Sequence, residues 1–245
     1  MKFVSPSQII QIAIANIINS GFEISLVPSE VLINVCYPKY DAHYTSAIAL
    51  AISHRLGIEA VEIAEAIART CSQNLEISSQ WQTKTFGKGW LNIVLSEQFV
   101  FENLCALEIW LPDTSDIAIN PSSKSPEPMV QYAYARCCAL IRMAQSHSKI
   151  IGCTSTILDK MEPVEVSLLI QQFAIASRIE NENISPLKRE KLSQVLAEVF
   201  LQFYDHCRIF GVPSKIADRR LLLIRITRKL LLAIAPLEIN YATYL

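Results

Sequence analysis

The stretch MVQYAYARCCALIRMA, residues 129–144, decides the architecture of the second half of the chain. Its apolar side chains recur every three or four residues, a spacing that predicts an amphipathic helix. Similar patterns occupy residues 163–179, 186–210 and 213–235, and each begins with a proline, which suits the first turn of a helix. Because no strong strand pattern occurs beyond residue 126, we expect residues 128–245 to form an all-α helical bundle.

The first 110 residues combine helical and strand-like patterns. Ser5, Pro6 and Gln8 have the order of a capped helix start, in which the glutamine reaches back to the serine. Helical periodicity covers residues 44–56, 60–71 and 99–110, and period-two alternation covers residues 31–36, 75–86 and 90–95. The last two alternating segments flank FGKG, residues 86–89, whose glycines permit a hairpin turn. We expect residues 1–110 to form an α+β domain that combines a small antiparallel sheet with helices.

Residues 111–127 join these two regions. They are rich in proline and serine and have no apolar periodicity. Such a composition is typical of a linker. The expected organisation is therefore an α+β domain at residues 1–110, a linker at residues 111–127 and a helical bundle at residues 128–245.

The composition excludes several classes of protein. The 245 residues are 51% hydrophobic, which is too many for a disordered or fibrous chain. The seven cysteines are scattered without a CxxC pair, which favours reduced, mostly buried thiols and a cytoplasmic location. The strongest membrane-span candidate, residues 221–237, contains Arg225, Arg228 and Lys229 and is not expected to cross a membrane. Polar residues interrupt the N-terminal apolar stretch, so no signal peptide is expected.

The formal net charge of −1 hides an uneven distribution. Residues 1–110 contain 6 Lys and Arg against 10 Asp and Glu, whereas residues 126–245 contain 15 against 11. On the last predicted helix, four cations fall within an arc of about 120°, here called the basic arc: Lys215, Arg219, Arg225 and Lys229. The basic arc is either a solvated surface or a phosphate-binding surface. Arg220 falls in the apolar arc instead, which predicts a buried pair with a carboxylate of the bundle.

The sequence has no arrangement typical of a catalytic or metal site. The four histidines are isolated, without HExxH or His-x-Cys spacing, and residues 87–89 are too short for a phosphate-binding Walker A loop. We therefore expect no catalytic residue, no metal and no cofactor. Tyr132 and Tyr134 can stack on unpaired bases, although aromatic side chains at helical spacing are more often part of a core.

Several motifs resemble those of arginyl-tRNA synthetases. The segment PMVQYAYAR, residues 128–136, resembles the start of their DALR anticodon-binding domain, which typically reads VQYAHAR, with Tyr134 in place of the histidine. FYDHC, residues 203–207, is similar to the FYxxC segment of the family, and residues 220–231 keep the register of its RLxL helix. The first 110 residues are similar to the N-terminal additional domain, most clearly at FGKGWLNI, residues 86–93, where the family reads like AGPGFINI.

The resemblance implies a tRNA-binding protein without aminoacylation activity. In the synthetases, a Rossmann-type catalytic domain with an HxGH signature separates the two regions, whereas here only the predicted linker does. In the family, the additional domain touches the D-loop corner of the tRNA and the helical domain reads the anticodon. The implied ligand is a tRNA, with arginine tRNA as the first candidate, which the chain would present to a partner such as a modifying enzyme.

The candidate RNA-binding residues combine the basic arc with residues of the DALR-like motifs. They are Lys215, Arg219, Arg225, Lys229, Arg208, Tyr132, Tyr134 and Arg136. Alternatively, the chain is a protein-interaction or scaffold subunit of a larger complex that kept the fold but lost RNA binding. The net charge of −1, the acidic first domain and the altered C-terminal segment, residues 237–245, favour this alternative.

Overall fold

The computed structural model describes residues 2–36, 42–112, 126–146, 161–181, 183–235 and 241–243. The chain divides into two compact units. The α+β unit is Val4–Phe101, and the helical unit is Glu102–Leu245 together with Met1–Phe3. The division lies after Phe101, whereas the sequence predicts the end of the first domain at residue 110. Most of the predicted linker, residues 111–127, lies outside the described residues.

The α+β unit contains a four-stranded antiparallel sheet and helices. The helices are α1 (Pro6–Gly21), α2 (Ile48–Leu56), α3 (Ala60–Gln73), α4 (Leu75–Gln80) and the start of α5 (Glu97–Trp110), whose residues from Glu102 onward belong to the helical unit. The strands are β1 (Asn34–Val35), β2 (Tyr44–Ser46), β3 (Trp81–Phe86) and β4 (Trp90–Leu95), in the order β1-β2-β4-β3. The prediction of a small antiparallel sheet combined with helices is confirmed.

Helix α1 begins as its sequence predicts. The backbone N–H of Ser5 donates to Oε1 of Gln8 at 2.9 Å, and Pro6 occupies the first turn. The glutamine therefore satisfies a backbone donor at the helix start. Ile10 and Ile14 lie on the face that is fully buried.

Two segments differ from the sequence-based prediction. Residues 44–46 form β2 rather than the start of a helix, because they pair with β4 and Thr45 donates its hydroxyl to the carbonyl of Leu91 at 3.0 Å. Leu75–Gln80 form α4 rather than a strand, because the side chain of Asn74 accepts the N–H of Ile77 at 3.2 Å and caps a helix there. Long-range pairing decides the first case, and a local cap decides the second.

Strands β3 and β4 form the predicted hairpin. Phe86 pairs with Trp90 across the turn, and Gly87 and Gly89 have φ angles of 58° and 110°. A Cβ atom added at Gly89 would lie 2.8 Å from the backbone carbonyl carbon of Ala60. Gly89 is therefore required both by its backbone conformation and by the close approach of α3.

The helical unit confirms the predicted all-α bundle. It contains α6 (Pro128–Ser146), α7 (Pro163–Asn181), α8 (Pro186–His206) and α9 (Ser214–Ile234). Helix α9 packs against α6, α7 and α8, and its buried side chains include Leu221, Leu223, Ile224, Leu230 and Ile234. Within the described ranges, no helix combines the length and the apolar character needed to cross a membrane.

Candidate nucleic-acid interface

The expectation of an exposed basic arc on α9 is wrong at Arg219. Arg219 is 1% exposed, and its guanidinium lies 3.1 Å from a carboxylate oxygen of Glu165, which is fully buried. A guanidinium held inside the bundle does not reach a phosphate outside it. Arg219 is therefore withdrawn from the candidate RNA-binding set, because the periodicity of α9 does not reveal that a carboxylate of α7 lies opposite this position.

Glu165 also binds Arg220, as the place of Arg220 in the apolar arc predicts. Nε of Arg220 donates to Oε1 of Glu165 at 3.0 Å, and Nη1 donates to the carbonyl oxygen of Arg208 at 2.6 Å. Burial lowers the pKa of Arg220, but the hydrogen bond and the charge of Glu165 outweigh burial, so that the pKa is raised. This buried group connects α7, α9 and the segment after α8, and its role is structural.

Arg225 and Lys229 contact the end of α5. The guanidinium of Arg225 binds both carboxylate oxygens of Glu108, through Nε to Oε1 and through Nη2 to Oε2 at 3.0 Å. Nζ of Lys229 lies 3.0 Å from the carbonyl oxygen of Glu108 and 3.4 Å from that of Leu111. Lys215 is exposed in the first turn of α9, whereas these two cations are half-buried.

Tyr132, Arg136 and Tyr204 form a partly exposed group that we call the Tyr–Arg cluster. Tyr132 and Arg136 lie one turn apart on α6, and Tyr204 lies on α8. The guanidinium carbon of Arg136 is 4.9 Å from the centre of the Tyr204 ring and 6.0 Å from that of Tyr132. Nη2 of Arg136 also donates to the Tyr204 hydroxyl. Tyr132 is 39% exposed, so the cluster is open to a ligand.

The Tyr–Arg cluster has the chemistry needed to bind an unpaired nucleotide. Aromatic rings and guanidinium planes stack on bases, and a guanidinium also offers donors that match a phosphate. Contact with Tyr204 holds Arg136 in place before any ligand binds. Arg208, four residues after Tyr204, is exposed and adds a further cation. Tyr204 is not among the candidate residues predicted from the sequence, because its helical spacing with Phe200 and Phe203, both fully buried, is more often that of a core residue.

Tyr134 is not available to a base in this structure. It is 6% exposed, and its ring stacks on that of Tyr241 with the centroids 4.8 Å apart. Burial raises the pKa of both tyrosines, that of Tyr241 to about 12. Next to this pair, Gln131 binds the backbone of Ala242 with both ends of its amide, at 2.6 and 3.0 Å. Tyr134 therefore anchors residues 241–243 and is withdrawn from the candidate set.

A second candidate surface lies on the sheet of the α+β unit. It is a groove of about 400 Å³, lined by Asn34, Val35, Cys36, Thr45, Phe86, Trp90 and Asn92. Trp90 is 39% exposed, whereas Leu91 and Ile93, its neighbours on the opposite face of β4, are fully buried. Trp90 and Asn92 are not among the candidate residues predicted from the sequence, although the alternation of β4 already places both on the face opposite the core.

The Asn92 amide in this groove is oriented by a neighbouring strand. The hydroxyl of Thr45 lies 3.2 Å from Oδ1 of Asn92 and shares its one proton between this oxygen and the carbonyl oxygen of Leu91. This bond leaves Nδ2 of Asn92 as a donor without a partner among the described residues. An oriented amide beside an exposed indole can read the edge of a planar heterocycle while the indole stacks on its face.

The described cysteines are thiols rather than disulfides, and most are buried, as predicted. Cys105 is half-buried, and the buried ones are Cys36, Cys71, Cys137, Cys138 and Cys207. Burial raises the pKa of the Cys207 thiol to about 11. Within the described part of the chain, no group of three or more His, Cys, Asp and Glu side chains is placed to hold a metal ion.

Residues 130–241 match the family described as the DALR anticodon binding domain. The helical unit is therefore similar to a DALR anticodon binding domain. The matched residues include most of α6 and all of α7, α8 and α9, and therefore the whole Tyr–Arg cluster.

Curated relatives of the chain are arginine–tRNA ligases. That of Ruminiclostridium cellulolyticum is 29% identical over 117 residues, which are 46% of this chain and 21% of the relative. That of Heliobacterium modesticaldum is 31% identical over 119 residues, 44% of this chain and 21% of the relative. The chain spans about a fifth of the length of the curated relatives it matches.

Proposed function

We propose that the chain is a noncatalytic, cytoplasmic tRNA-binding protein whose DALR domain binds the anticodon region of a tRNA through the Tyr–Arg cluster. The observation that carries this proposal is the position of Arg136. Its guanidinium contacts the rings of Tyr132 and Tyr204, at 6.0 and 4.9 Å, on a domain of an anticodon-binding family.

Each member of the cluster has a distinct part in this proposal. Tyr132, the most exposed of the three, stacks on an unpaired base of the anticodon loop. Arg136 binds the phosphate next to that base, and Tyr204 holds the guanidinium in position. Arg208 and Lys215 are exposed and neutralise neighbouring phosphates, so their removal should weaken all RNA binding and reduce its dependence on salt.

The groove of the α+β unit provides a second contact. Its indole and oriented amide suit one unpaired base, and the resemblance of residues 1–110 to the additional domain of the synthetases makes the D-loop corner of the tRNA the source of that base. Trp90 stacks on the base, and Asn92 donates to its edge. Two separate contacts of this kind favour a folded tRNA over an unstructured RNA.

The proposed role is to retain or present a tRNA, not to charge it. The similarity to arginine–tRNA ligases covers less than half of the chain. In the sequence, the region similar to the additional domain and the DALR domain are joined by a linker-like segment at residues 111–127 and not by a nucleotide-binding domain. A modifying enzyme that acts on a tRNA is the partner that fits such a role.

Binding measured on folded and unstructured RNA tests the proposal. Electrophoretic mobility shifts at moderate salt should show tighter binding to tRNA than to a random RNA of the same length. Arg136→Gln should lose most of this preference, and Arg178→Gln, an exposed arginine of α7, should keep it. Equal affinity of the wild-type chain for both RNAs would contradict the proposal.

A protein-interaction subunit is the second candidate function. It is favoured by the internal pairing of Arg219 with Glu165 and of Arg225 with Glu108, which neutralises much of the basic arc. Gentle purification from native extract separates the two functions. A stable complex that contains no RNA favours the interaction subunit, whereas co-purifying tRNA favours the proposed tRNA-binding role.

A further inference from the structure

The end of α5 presents to α9 the same chemical groups that a nucleic-acid backbone would present. Glu108 offers two carboxylate oxygens to the guanidinium of Arg225, in the two-point geometry that arginine also uses for phosphate. The carbonyl oxygens of Glu108 and Leu111 lie 3.0 and 3.4 Å from Nζ of Lys229. These carbonyls are at the C-terminal end of a helix, where the backbone carries partial negative charge.

We propose that the Glu108 carboxylate is an internal competitor for phosphate, which masks Arg225 and limits the affinity of the DALR domain for RNA. The inference rests on the proposed function. Glu108 would lower the affinity for RNA, whereas the candidate RNA-binding residues of the same unit would raise it. RNA would bind α9 by displacing the carboxylate from Arg225, without any requirement that α5 itself move away.

The burial of the pair makes this exchange physically accessible. The side chains of Arg225 and Glu108 are each 18% exposed, so phosphate can approach the guanidinium from solvent. By contrast, the side chains of Arg219 and Glu165 are 1% and 0% exposed, and that pair is closed to a ligand. Of these two ion pairs, the one with Glu108 is therefore the more open to competition.

A matched set of variants isolates the masking effect. Glu108→Gln removes the competing charge, and Glu198→Gln makes the same change in net charge at an exposed position of α8. Relative to Glu198→Gln, Glu108→Gln should tighten RNA binding by about 3- to 10-fold at low salt. It should also steepen the slope of log affinity against log salt by about 0.7 to 0.9 for each phosphate gained.

Arg225→Gln completes a double-mutant cycle. In the wild-type background it should change RNA affinity little, because Arg225 is already occupied, whereas in the Glu108→Gln background it should abolish the gain. An equal loss in both backgrounds would overturn the proposal, because Arg225 would then bind RNA despite Glu108. If Glu108→Gln fails to fold, Glu108→Asp keeps the charge, shortens the side chain by one methylene and should give part of the gain.

Two RNA probes, a tRNA and a random RNA of the same length, distinguish failure of this inference from failure of the proposed function. If Glu108→Gln gains affinity for both but the wild-type chain does not prefer tRNA, masking stands and the proposed function fails. If the wild-type chain prefers tRNA and Glu108→Gln binds like Glu198→Gln, the proposed function stands and masking is overturned. If none of the proteins binds either RNA, both are overturned.

Discussion

Glu165 and Arg219 form an ion pair at 3.1 Å between side chains 54 residues apart in the sequence, inside the helical unit where neither reaches solvent. Arg220 binds the same carboxylate, so one negative charge faces two guanidinium groups. Desolvated charges are costly unless they remain paired. The stability of the bundle should therefore depend strongly on this carboxylate.

Replacing Glu165 tests this dependence. Glu165→Gln removes the charge of the carboxylate that both guanidinium groups bind and should lower the free energy of unfolding by about 3 to 5 kcal/mol. The measurement is urea denaturation followed by circular dichroism. Glu190→Gln, at an exposed position of α8, is the control and should change stability by less than about 0.5 kcal/mol. A similar loss for the two variants would show that the buried pairing contributes little.

Alanine substitutions at the two glycines of the β3–β4 turn should differ sharply in their effect on stability. Gly89→Ala places a Cβ atom 2.8 Å from the backbone of Ala60 at a φ of 110°, and should destabilise the α+β unit by about 1 to 3 kcal/mol. Gly87→Ala also has a positive φ, but its added Cβ meets nothing within 4 Å. Gly87→Ala should therefore lower the stability of the α+β unit clearly less than Gly89→Ala, and thermal melts of the two variants measure this difference. Equal melting temperatures would mean that the contact with α3 is not as close as described.

Stability should fall at alkaline pH because of Cys207. Burial raises the pKa of this thiol from 9.0 to about 11, so the folded chain keeps a proton that the unfolded chain has already lost. This contribution to stability is complete below the ordinary pKa and is lost as the pH rises through about 11. Denaturation midpoints measured across this range should decline less steeply for Cys207→Ala than for the wild-type chain. Parallel declines would assign the alkaline effect to other groups.

The groove of the α+β unit should contribute to tRNA affinity. Trp90→Ala should weaken tRNA binding by roughly 5-fold or more if the indole stacks on a base. Asn92→Ala should weaken it through the lost donor, with little change in stability because Asn92 is only half-buried. Leu75→Ala removes an apolar side chain that is 86% exposed on α4 and should leave affinity unchanged. Unchanged affinity for Trp90→Ala would remove the groove from the interface.

The local pattern predicts the helices and the hairpin well, because they depend on contacts a few residues apart. Ser5 with Gln8, and Gly87 with Gly89, are examples. The same periodicity predicts a basic arc on α9 but does not show which cations are paired. The carboxylates of Glu165 and Glu108 come from residues 54 and 117 positions away in the sequence.

In the candidate site, too, the sequence predicts local contacts but not contacts between residues far apart in the chain. Tyr132 and Arg136 are four residues apart, and their contact follows from helix geometry. Tyr204 completes the cluster from α8, and this contact depends on how two helices pack. The stacking of Tyr241 on Tyr134 joins residues more than a hundred positions apart. Residue type alone could not separate Tyr132, which is exposed, from Tyr134, which is buried.

Chemical footprinting of a bound tRNA tests the central claim most directly. The wild-type chain should protect nucleotides of the anticodon loop, and Arg136→Gln should lose that protection while Arg178→Gln retains it. Protection that is absent from the anticodon loop, or that is unchanged in Arg136→Gln, would contradict binding of the anticodon region through the Tyr–Arg cluster.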